Sequence, residues 1–472
     1  MSDRRTFRWA TTSARLLAGT LVSVGAVVAV ATAVSLPWPT FARSPAEVSV
    51  VPAAEASVLV CDGPILALGR QADDASAVSV VARQALTAGT AADAAPAEER
   101  TLDAPALDGE PGPSTITAPP QDDTRVDVAA AGAAYAAADD IAGYAASACR
   151  PPLLESWLVG GSATTGAADL VLLSNPGSVP AFVQITAYGS TGEQAPPGGA
   201  DIVVPSGTQR VIPLAGLQLG EESPVLRVSA TGAPVRASLQ TSITRTLVPG
   251  GVDQVGAIAV PATSQIIAGV AVTAEPGALG ASNAATVVRV LAPSADGEAT
   301  VTVREVGDVA PVLEPTTVPL AAGVPTEVDL GGLDIGRYVV EVSADQPVVS
   351  AVWQTTGFGR LSDFAWYIPS PTVDLPSLFA TPTGPVPVLT LANPGADAVD
   401  VVVSAPDGSD EVVTTVPPAG TATVRIRPRE VYLLDPGTAG ILAAVSLTGD
   451  SALAGYPVWP GDAASPSIDV YP

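Results

Sequence analysis

Carboxylates are the main side chains in this sequence that could carry out chemistry. The chain has 472 residues with no histidine, and all 21 of its basic residues are arginine. Without histidine it lacks the usual base of serine and cysteine triads and the commonest metal ligand. Without lysine it lacks phosphate-binding loops and Schiff-base chemistry. The 47 Asp and Glu residues leave glycoside hydrolysis by a carboxylate pair as the enzyme class that residue types still allow.

The spacing of the carboxylates does not mark a catalytic pair. Asp296-Gly297, Asp407-Gly408 and Asp410-Glu411 fall at predicted turn tips, where Asp-Gly is favoured by backbone geometry rather than by calcium binding or catalysis. Calcium loops of the Asp-x-Asp-x-Asp-Gly type are absent from the sequence. We therefore predict a protein that is not an enzyme, with no catalytic residues, metal or cofactor. A carboxylate-dependent glycosidase is the least favoured alternative.

One stretch concentrates aromatic side chains in a chain that is only 4% aromatic. Aromatic faces with polar neighbours could stack on a sugar and form hydrogen bonds with it. The competing interpretation is a connection that packs one domain against the next. The candidate ligand contacts are Trp353, Gln354, Phe358, Arg360, Asp363, Trp366 and Tyr367.

The N-terminus predicts a membrane anchor. Residues 1–15 form a basic tail and residues 16–36 an uncharged apolar run, which at about 1.5 Å per residue crosses a hydrocarbon core of about 30 Å. The tail contains Arg4, Arg5, Arg8 and Arg15, and Trp38 and Phe41 follow at the expected interface. Basic residues hold the N-terminus inside, so we predict a single-pass protein of the cytoplasmic membrane with the bulk of the chain outside it. A signal peptide cleaved after Ala31-Thr32-Ala33 is the alternative.

Export makes the two cysteines informative. Disulfides persist outside the reducing cytosol, and two cysteines allow one pairing, so we predict a Cys61–Cys149 bond. Two unrelated buried thiols are the alternative.

After a linker at 37–56, residues 57–156 form this disulfide-containing region, with short strands expected at 57–61 and 78–82. Residues 88–127 are rich in Ala, Pro and acidic residues, which predicts a disordered insertion. The Ala-rich run 128–148 favours a helix by composition, with a strand before Cys149 as the other possibility.

A repeated pattern organises the rest of the chain. Asn175-Pro176-Gly177 interrupts an apolar strand and recurs as Asn393-Pro394-Gly395, with a degenerate form at Ala292-Pro293-Ser294. We interpret each as a hairpin that opens a unit of six or seven short strands. The spacing predicts an all-β fold of tandem immunoglobulin-like or fibronectin-like β-sandwich units after a single transmembrane helix. The predicted sandwiches span 157–261, 262–376 and 377–472.

The charge balance limits the partners. A net charge of -26 repels nucleic acid phosphates, so we predict no nucleic acid partner, and we interpret the acidity as a solvated surface.

The chain resembles DUF5719, a family of uncharacterised actinobacterial exported proteins. The likeness lies in the N-terminal anchor, in Val60-Cys61-Asp62-Gly63-Pro64, in the run from Cys149 to Gly161, and in the Leu-x-Asn-Pro-Gly motifs, and it covers most of residues 57–472. It implies a cell-envelope setting and no particular activity. We therefore expect a membrane-anchored structural or interaction protein that supports a surface-glycan assembly or export complex. Its partner would be an envelope membrane protein or a surface glycan. The alternative is a glycan-binding module that uses the aromatic loop 353–367.

Overall fold

The structure, a computed structural model, describes residues 3–35, 48–50, 54–71, 74, 77–107, 109–274, 286–437, 439–461 and 468–470. The chain divides into two units, one of residues 1–52 with 466–472 and one of residues 53–465. The first unit contains helix α1 (Asp3–Ser35) and strand β1 (Val48–Val50), which pairs antiparallel with Ile468–Val470.

Helix α1 contains the apolar segment that was expected to cross a membrane. Its Ser13–Ser35 portion has a mean hydropathy of 2.2, and its large apolar side chains are exposed, Leu16 and Leu21 each by 69%. By length and composition the segment could be a membrane span or a signal anchor. The predicted run ends at Leu36, which lies outside the described residues, as do the predicted interfacial residues Trp38 and Phe41.

The second unit begins with three small sheets. Their orders are β2-β7-β6, β3-β4 and β5-β8-β9. The strands are β2 (Ser57–Val60), β3 (Ile65–Leu68), β4 (Val78–Ala82), β5 (Ala85–Thr90), β6 (Glu98–Thr101), β7 (Ser114–Ala118), β8 (Val128–Ala137) and β9 (Ala142–Ala148). The strands expected at 57–61 and 78–82 are confirmed as β2 and β4. The predicted disulfide is also confirmed, with Cys61 and Cys149 bonded and both side chains buried.

Two expectations for this region are wrong. The stretch 88–127, predicted to be disordered, contains β6 and β7, because its few apolar residues are well placed: Leu102, Leu107 and Ile116 are all buried. The Ala-rich run is not a helix but the strand pair β8–β9, which confirms the alternative of a strand before Cys149. Burial overrides alanine's helix propensity here, since alternate alanines of β8 pack into different hydrophobic clusters, Ala131 into one and Ala130 into another.

Three pairs of sheets follow in chain order, and the first contains nine strands. The orders are β10-β16-β12-β13, with β14 beside β12, and β15-β11-β17-β18. The strands are β10 (Glu155–Val159), β11 (Leu170–Asn175), β12 (Ala181–Gly189), β13 (Gly192–Gln194), β14 (Ile202–Val204), β15 (Thr208–Pro213), β16 (Val225–Thr231), β17 (Arg236–Arg245) and β18 (Val248–Gly256). Side chains of both sheets share one hydrophobic cluster.

The second pair of sheets is joined by one long strand. The strands are β19 (Ala262–Val272), β20 (Thr286–Leu291), β21 (Gly297–Glu305), β22 (Thr316–Leu320), β23 (Thr326–Asp329), β24 (Gly336–Thr355) and β25 (Phe364–Tyr367). The first half of β24 pairs with β19 and β21, and its second half pairs with β20 and β25.

The third pair of sheets has the orders β26-β33-β28-β31, with β34 beside β33, and β27-β32-β29-β30. The strands are β26 (Thr372–Val373), β27 (Ser377–Ala380), β28 (Pro387–Ala392), β29 (Val399–Ser404), β30 (Val412–Val416), β31 (Thr421–Arg425), β32 (Val431–Asp435), β33 (Ile441–Gly449) and β34 (Ala452–Pro457).

The three sheet pairs repeat one topology. The order β15-β11-β17-β18 recurs as β23-β20-β24-β25 and β31-β28-β33-β34, and the order β10-β16-β12 recurs as β19-β24-β21 and β27-β32-β29. The repeat and the all-β fold are therefore confirmed. The boundaries at 261 and 376 and the immunoglobulin or fibronectin class stay predictions.

The Asn-Pro-Gly segment is a turn, but the hairpin interpretation is wrong. The strands on either side of it, β11 and β12, belong to different sheets, and so do β28 and β29. The Asn175 Nδ2 donates to Val179 O and Val204 O, and its Oδ1 accepts from Gly177 N. The side chain thus supplies the hydrogen bonds of the turn while Pro176 cannot continue a ladder, and the chain crosses from one sheet to the other.

Candidate functional site

The aromatic stretch 353–367 ends in β25, a strand that packs against strands of both neighbouring repeats. Strand β25 is the fourth strand of its sheet, and it contacts its counterparts β18 and β34, both of which also contact β9. Strands β18 and β34 belong to the neighbouring repeats, and β9 belongs to the disulfide-containing region. The stretch predicted as a candidate ligand site therefore contributes to the packing of one repeat against the next.

Asp363 joins these four segments through one carboxylate. Its Oδ2 accepts from Tyr144 N on β9 and from Leu453 N on β34, each at 3.0 Å, and its Oδ1 accepts from Val252 N on β18 at 3.3 Å. We call this set of four residues the Asp363 junction. The side chain is fully buried, and burial raises its pKa well above the usual range, although the backbone N–H groups act in the opposite direction.

A second buried carboxylate continues the junction. Asp253 on β18 accepts from Trp366 N at 2.7 Å and from Gln254 N at 2.9 Å. Burial raises the pKa of Asp253 to about 8, with the two backbone hydrogen bonds opposing the shift. A protonated carboxyl in this place still accepts both N–H groups, and it avoids the cost of burying a charge without a counterion.

Three other predicted contact residues of the stretch are buried and make contacts within the protein. Trp366 is 6% exposed and lies under the guanidinium of Arg289, whose Cζ is 4.7 Å from the ring centroid. Gln354 is buried, accepts from the hydroxyl of Thr286 and donates to Thr355 O. Tyr367 is also buried in the core of the second sheet pair.

The remaining predicted contacts are more open. Trp353 and Phe358 are half-buried, with ring centroids 6.3 Å apart, and Arg245 covers the Phe358 ring with its Cζ 4.0 Å from the centroid. Arg360 is exposed. The structure therefore brings Gln354, Asp363, Trp366 and Tyr367 together in the interior. The three outer residues are the part of the stretch that a ligand could reach.

Sequence reasoning missed an open groove elsewhere in the second unit. Its volume is about 530 Å³, within the range of small-molecule sites, and the disulfide-containing region and the third sheet pair both line it. Trp459 is half-buried there, with Arg150 Cζ 4.6 Å from its ring centroid. Arg125 donates from Nε to Ser57 Oγ at 3.0 Å, and burial raises the pKa of Asp127. The lining includes Arg125, Asp127, Pro152, Phe379, Tyr456 and Trp459.

Asp127 also shows how this groove is held together. Its Oδ1 accepts from Val128 N and its Oδ2 from Leu378 N on β27, so one carboxylate ties the disulfide-containing region to the third sheet pair. Among the residues that the structure describes, no group of three or more His, Cys, Asp or Glu side chains could hold a metal ion.

No curated protein matches the chain significantly. The model of a family of unknown function, DUF5719, matches residues 103–429, which include Cys149, Asp253 and Asp363 but not Cys61 or helix α1. Because the match covers more than half of the chain, this protein belongs to the DUF5719 family of unknown function.

Proposed function

We propose that the chain is a non-enzymatic, membrane-anchored protein of the cell envelope that supports a surface-glycan assembly or export complex. The Asp363 junction carries the proposal, because one buried carboxylate joins the disulfide-containing region to all three sheet pairs. Such a construction favours a stiff body that presents surfaces to partners. Burial raises the pKa values of the carboxyl groups of Asp169, Asp253 and Asp363, each of which is at most 4% exposed and accepts hydrogen bonds from backbone N–H groups.

The membrane topology is part of the proposal. The arginines before the apolar segment favour an N-terminus inside the cytoplasmic membrane, with the second unit outside. Protease treatment of intact spheroplasts tests this orientation. Degradation of the second unit in intact cells supports it, whereas protection of that unit until the membrane is lysed contradicts it.

The partner is tested by crosslinking in native membranes followed by identification of the linked protein. Recovery of one membrane protein of the envelope in wild type, and its loss when helix α1 is replaced by a cleavable signal peptide, supports an anchored scaffold. Turnover of wall polysaccharide by the purified chain would overturn the non-enzymatic assignment.

Glycan binding is the second candidate, and the groove beside Trp459 favours it. Its aromatic residue, the pair of Arg125 and Asp127, and its volume of about 530 Å³ suit a saccharide. A glycan array with wild type, Trp459→Ala and Trp353→Ala separates the two possible places. Loss in Trp459→Ala alone supports the groove, loss in Trp353→Ala alone supports the outer part of the 353–367 stretch, and the absence of binding in wild type rejects the candidate.

A further inference from the structure

Two arginines are buried close together in the second unit. Arg150 follows the disulfide cysteine and Arg236 begins β17, and they are 4% and 3% exposed. A Cβ at Gly256 would lie 3.4 Å from the Cζ of Arg150 and 3.6 Å from the Nη2 of Arg236, so the two guanidinium groups flank this glycine. Burying two like charges side by side is costly unless anionic groups balance them.

One carboxylate forms an ion pair with one of these two arginines. Arg236 Nη2 lies 3.0 Å from Asp62 Oδ1, and both side chains are buried. Arg150 donates from Nη1 to Ala257 O and lies over the ring of Trp459, and no ion pair of Arg150 is found in the described part of the chain. Burial and the nearby charge of Arg236 lower the pKa of Arg150 to about 9, so it remains charged at neutral pH. The cluster therefore holds one positive charge in excess.

Unused hydrogen-bond donors lie at the same place. Within the described part of the chain, the buried Arg236 Nε and Ser147 Oγ have no hydrogen-bond partner, and the same holds for Arg236 Nη2 and for both carboxylate oxygens of Asp62. Arg236 and Ser147 line a cavity of about 10 Å³, together with Arg150 and Gln254. A space of this size holds about one water molecule or one monatomic ion. An uncharged water would satisfy the donors but would leave the excess charge uncompensated.

We propose that this cavity is a binding site for a small monovalent anion of the halide class, held by Arg150, Arg236 and Ser147. The anion balances the second arginine and accepts hydrogen bonds from Arg236 Nε and Ser147 Oγ. The site joins Ser147 of β9 to Arg236 of β17, and Tyr456 of β34 also lines the cavity. A bound anion therefore stabilises the contact between the disulfide-containing region, the first sheet pair and the third.

Thermal unfolding of the full chain in detergent tests the site. Sodium chloride and sodium bromide are titrated at fixed ionic strength, with sodium gluconate as the replacement, because the acidic chain is stabilised by general screening in any salt. We expect Tm to rise with chloride and bromide to a plateau and to stay constant in gluconate, whose anion is too large for the cavity. Equal Tm values in chloride and gluconate would overturn the proposal.

A matched pair of serine variants locates the effect. Ser147→Ala is expected to raise the chloride concentration at the half-maximal Tm shift roughly tenfold, as for the loss of one hydrogen bond to a charged group. Ser370→Ala removes another buried hydroxyl, one with no hydrogen-bond partner among the residues that the structure describes, and should leave the chloride dependence unchanged. The same chloride dependence in both variants would contradict the site.

Bromide scattering provides a readout that does not depend on stability. Crystals grown in sodium bromide should show an anomalous peak beside Ser147 Oγ and Arg236 Nε. Density there without anomalous signal would identify a water and would overturn the assignment.

Discussion

The carboxylate of Asp363 occupies the space that a side chain on Gly143 would fill. A Cβ on Gly143 would lie 2.5 Å from Asp363 Oδ1, and the φ of Gly143 is +147°. Gly251 on β18 approaches the same oxygen from another segment, where a Cβ would lie at 2.8 Å and φ is +126°. The two glycines let two segments come close enough for Tyr144 N and Val252 N to reach the carboxylate.

Gly143→Ala is therefore expected to lower the free energy of unfolding by about 2 kcal/mol or more, because it adds a clash to backbone strain. Urea denaturation measures the loss. Gly192→Ala is the control, since Gly192 also has a positive φ, +91°, but no atom lies within 4 Å of its Cβ position. Equal losses of unfolding free energy in the two variants would show that the contact with Asp363 does not contribute to stability.

Asp363→Ala should loosen several segments at once. It leaves three buried N–H groups, those of Tyr144, Val252 and Leu453, without their acceptor, so we expect a loss of about 3 kcal/mol or more. Hydrogen exchange should speed up at all three amides together. Asp407→Ala removes an exposed carboxylate that accepts hydrogen bonds from Ser409, and it should leave these amides unchanged. Faster exchange at one amide alone would contradict a shared junction.

The repeat was predictable from the sequence because turns and strand patterns are local. Asn175 and Asn393 mark equivalent turns, and their residue types alone indicate a break in the strand. The path of the chain through that turn was not predictable. Whether β11 pairs with β12 or crosses to the other sheet depends on partners such as β15 and β17, which lie far along the sequence.

Burial explains the other differences. Helix propensity is a local quantity, and it alone favours a helix for the Ala-rich strand β8. The burial of this strand depends instead on residues far along the sequence, such as Phe379 and Leu389 of the third sheet pair. Asp363 looked like a possible ligand contact since an aspartate in an aromatic stretch is usually exposed. Gly143 and Gly251, which make its burial possible, lie in other segments, and no sequence spacing connects them to it.

Asp253→Asn should change how stability depends on pH. The pKa of Asp253 is about 8 in the folded chain and near 3.9 when unfolded, so its contribution is complete below about pH 4 and is lost as the pH rises to 8. The free energy of unfolding of wild type minus that of the variant should therefore fall across this window, by at most about 1.4 kcal/mol per pH unit. Urea titrations at successive pH values measure the slope.

The control for this slope is Asp407→Asn, because a hydrogen bond from Ser409 lowers the pKa of this exposed carboxyl. Its difference from wild type should be flat between pH 5 and pH 8, where the group is ionised in both states. A flat difference for Asp253→Asn as well would mean that Asp253 is ionised in the folded chain.

Reduction of the disulfide should destabilise the second unit strongly. The bond joins residues 88 apart in sequence, and closing a loop of that length contributes about 4.6 kcal/mol in the chain-entropy description. Wild type in reductant should unfold at lower urea than wild type without it. The double variant Cys61→Ser/Cys149→Ser should match reduced wild type and should not respond to reductant; a response would point to an effect outside the disulfide.

Asn175→Ala should lower the free energy of unfolding without affecting the binding of a partner protein, because the side chain acts entirely within its turn. Asn175 is fully buried, donates to Val179 O and Val204 O, and accepts from Gly177 N. We expect a loss of about 2 kcal/mol, since these backbone groups lose their partners. Asn393→Ala should cost a similar amount, because Asn393 makes the equivalent contacts with Asp397 O, Val416 O and Gly395 N.

The aspartate variants sharpen this test. Asn175→Asp and Asn393→Asp keep the acceptor for the glycine N–H but place a carboxylate against carbonyl oxygens, so at neutral pH each should be less stable than its alanine counterpart. Urea denaturation gives the stabilities, and crosslinking in membranes at a temperature where the variants remain folded gives partner recovery. Loss of the partner from a folded Asn175 variant alone would assign this turn a binding role, whereas equal recovery from both folded variants identifies a structural element that recurs with the repeat.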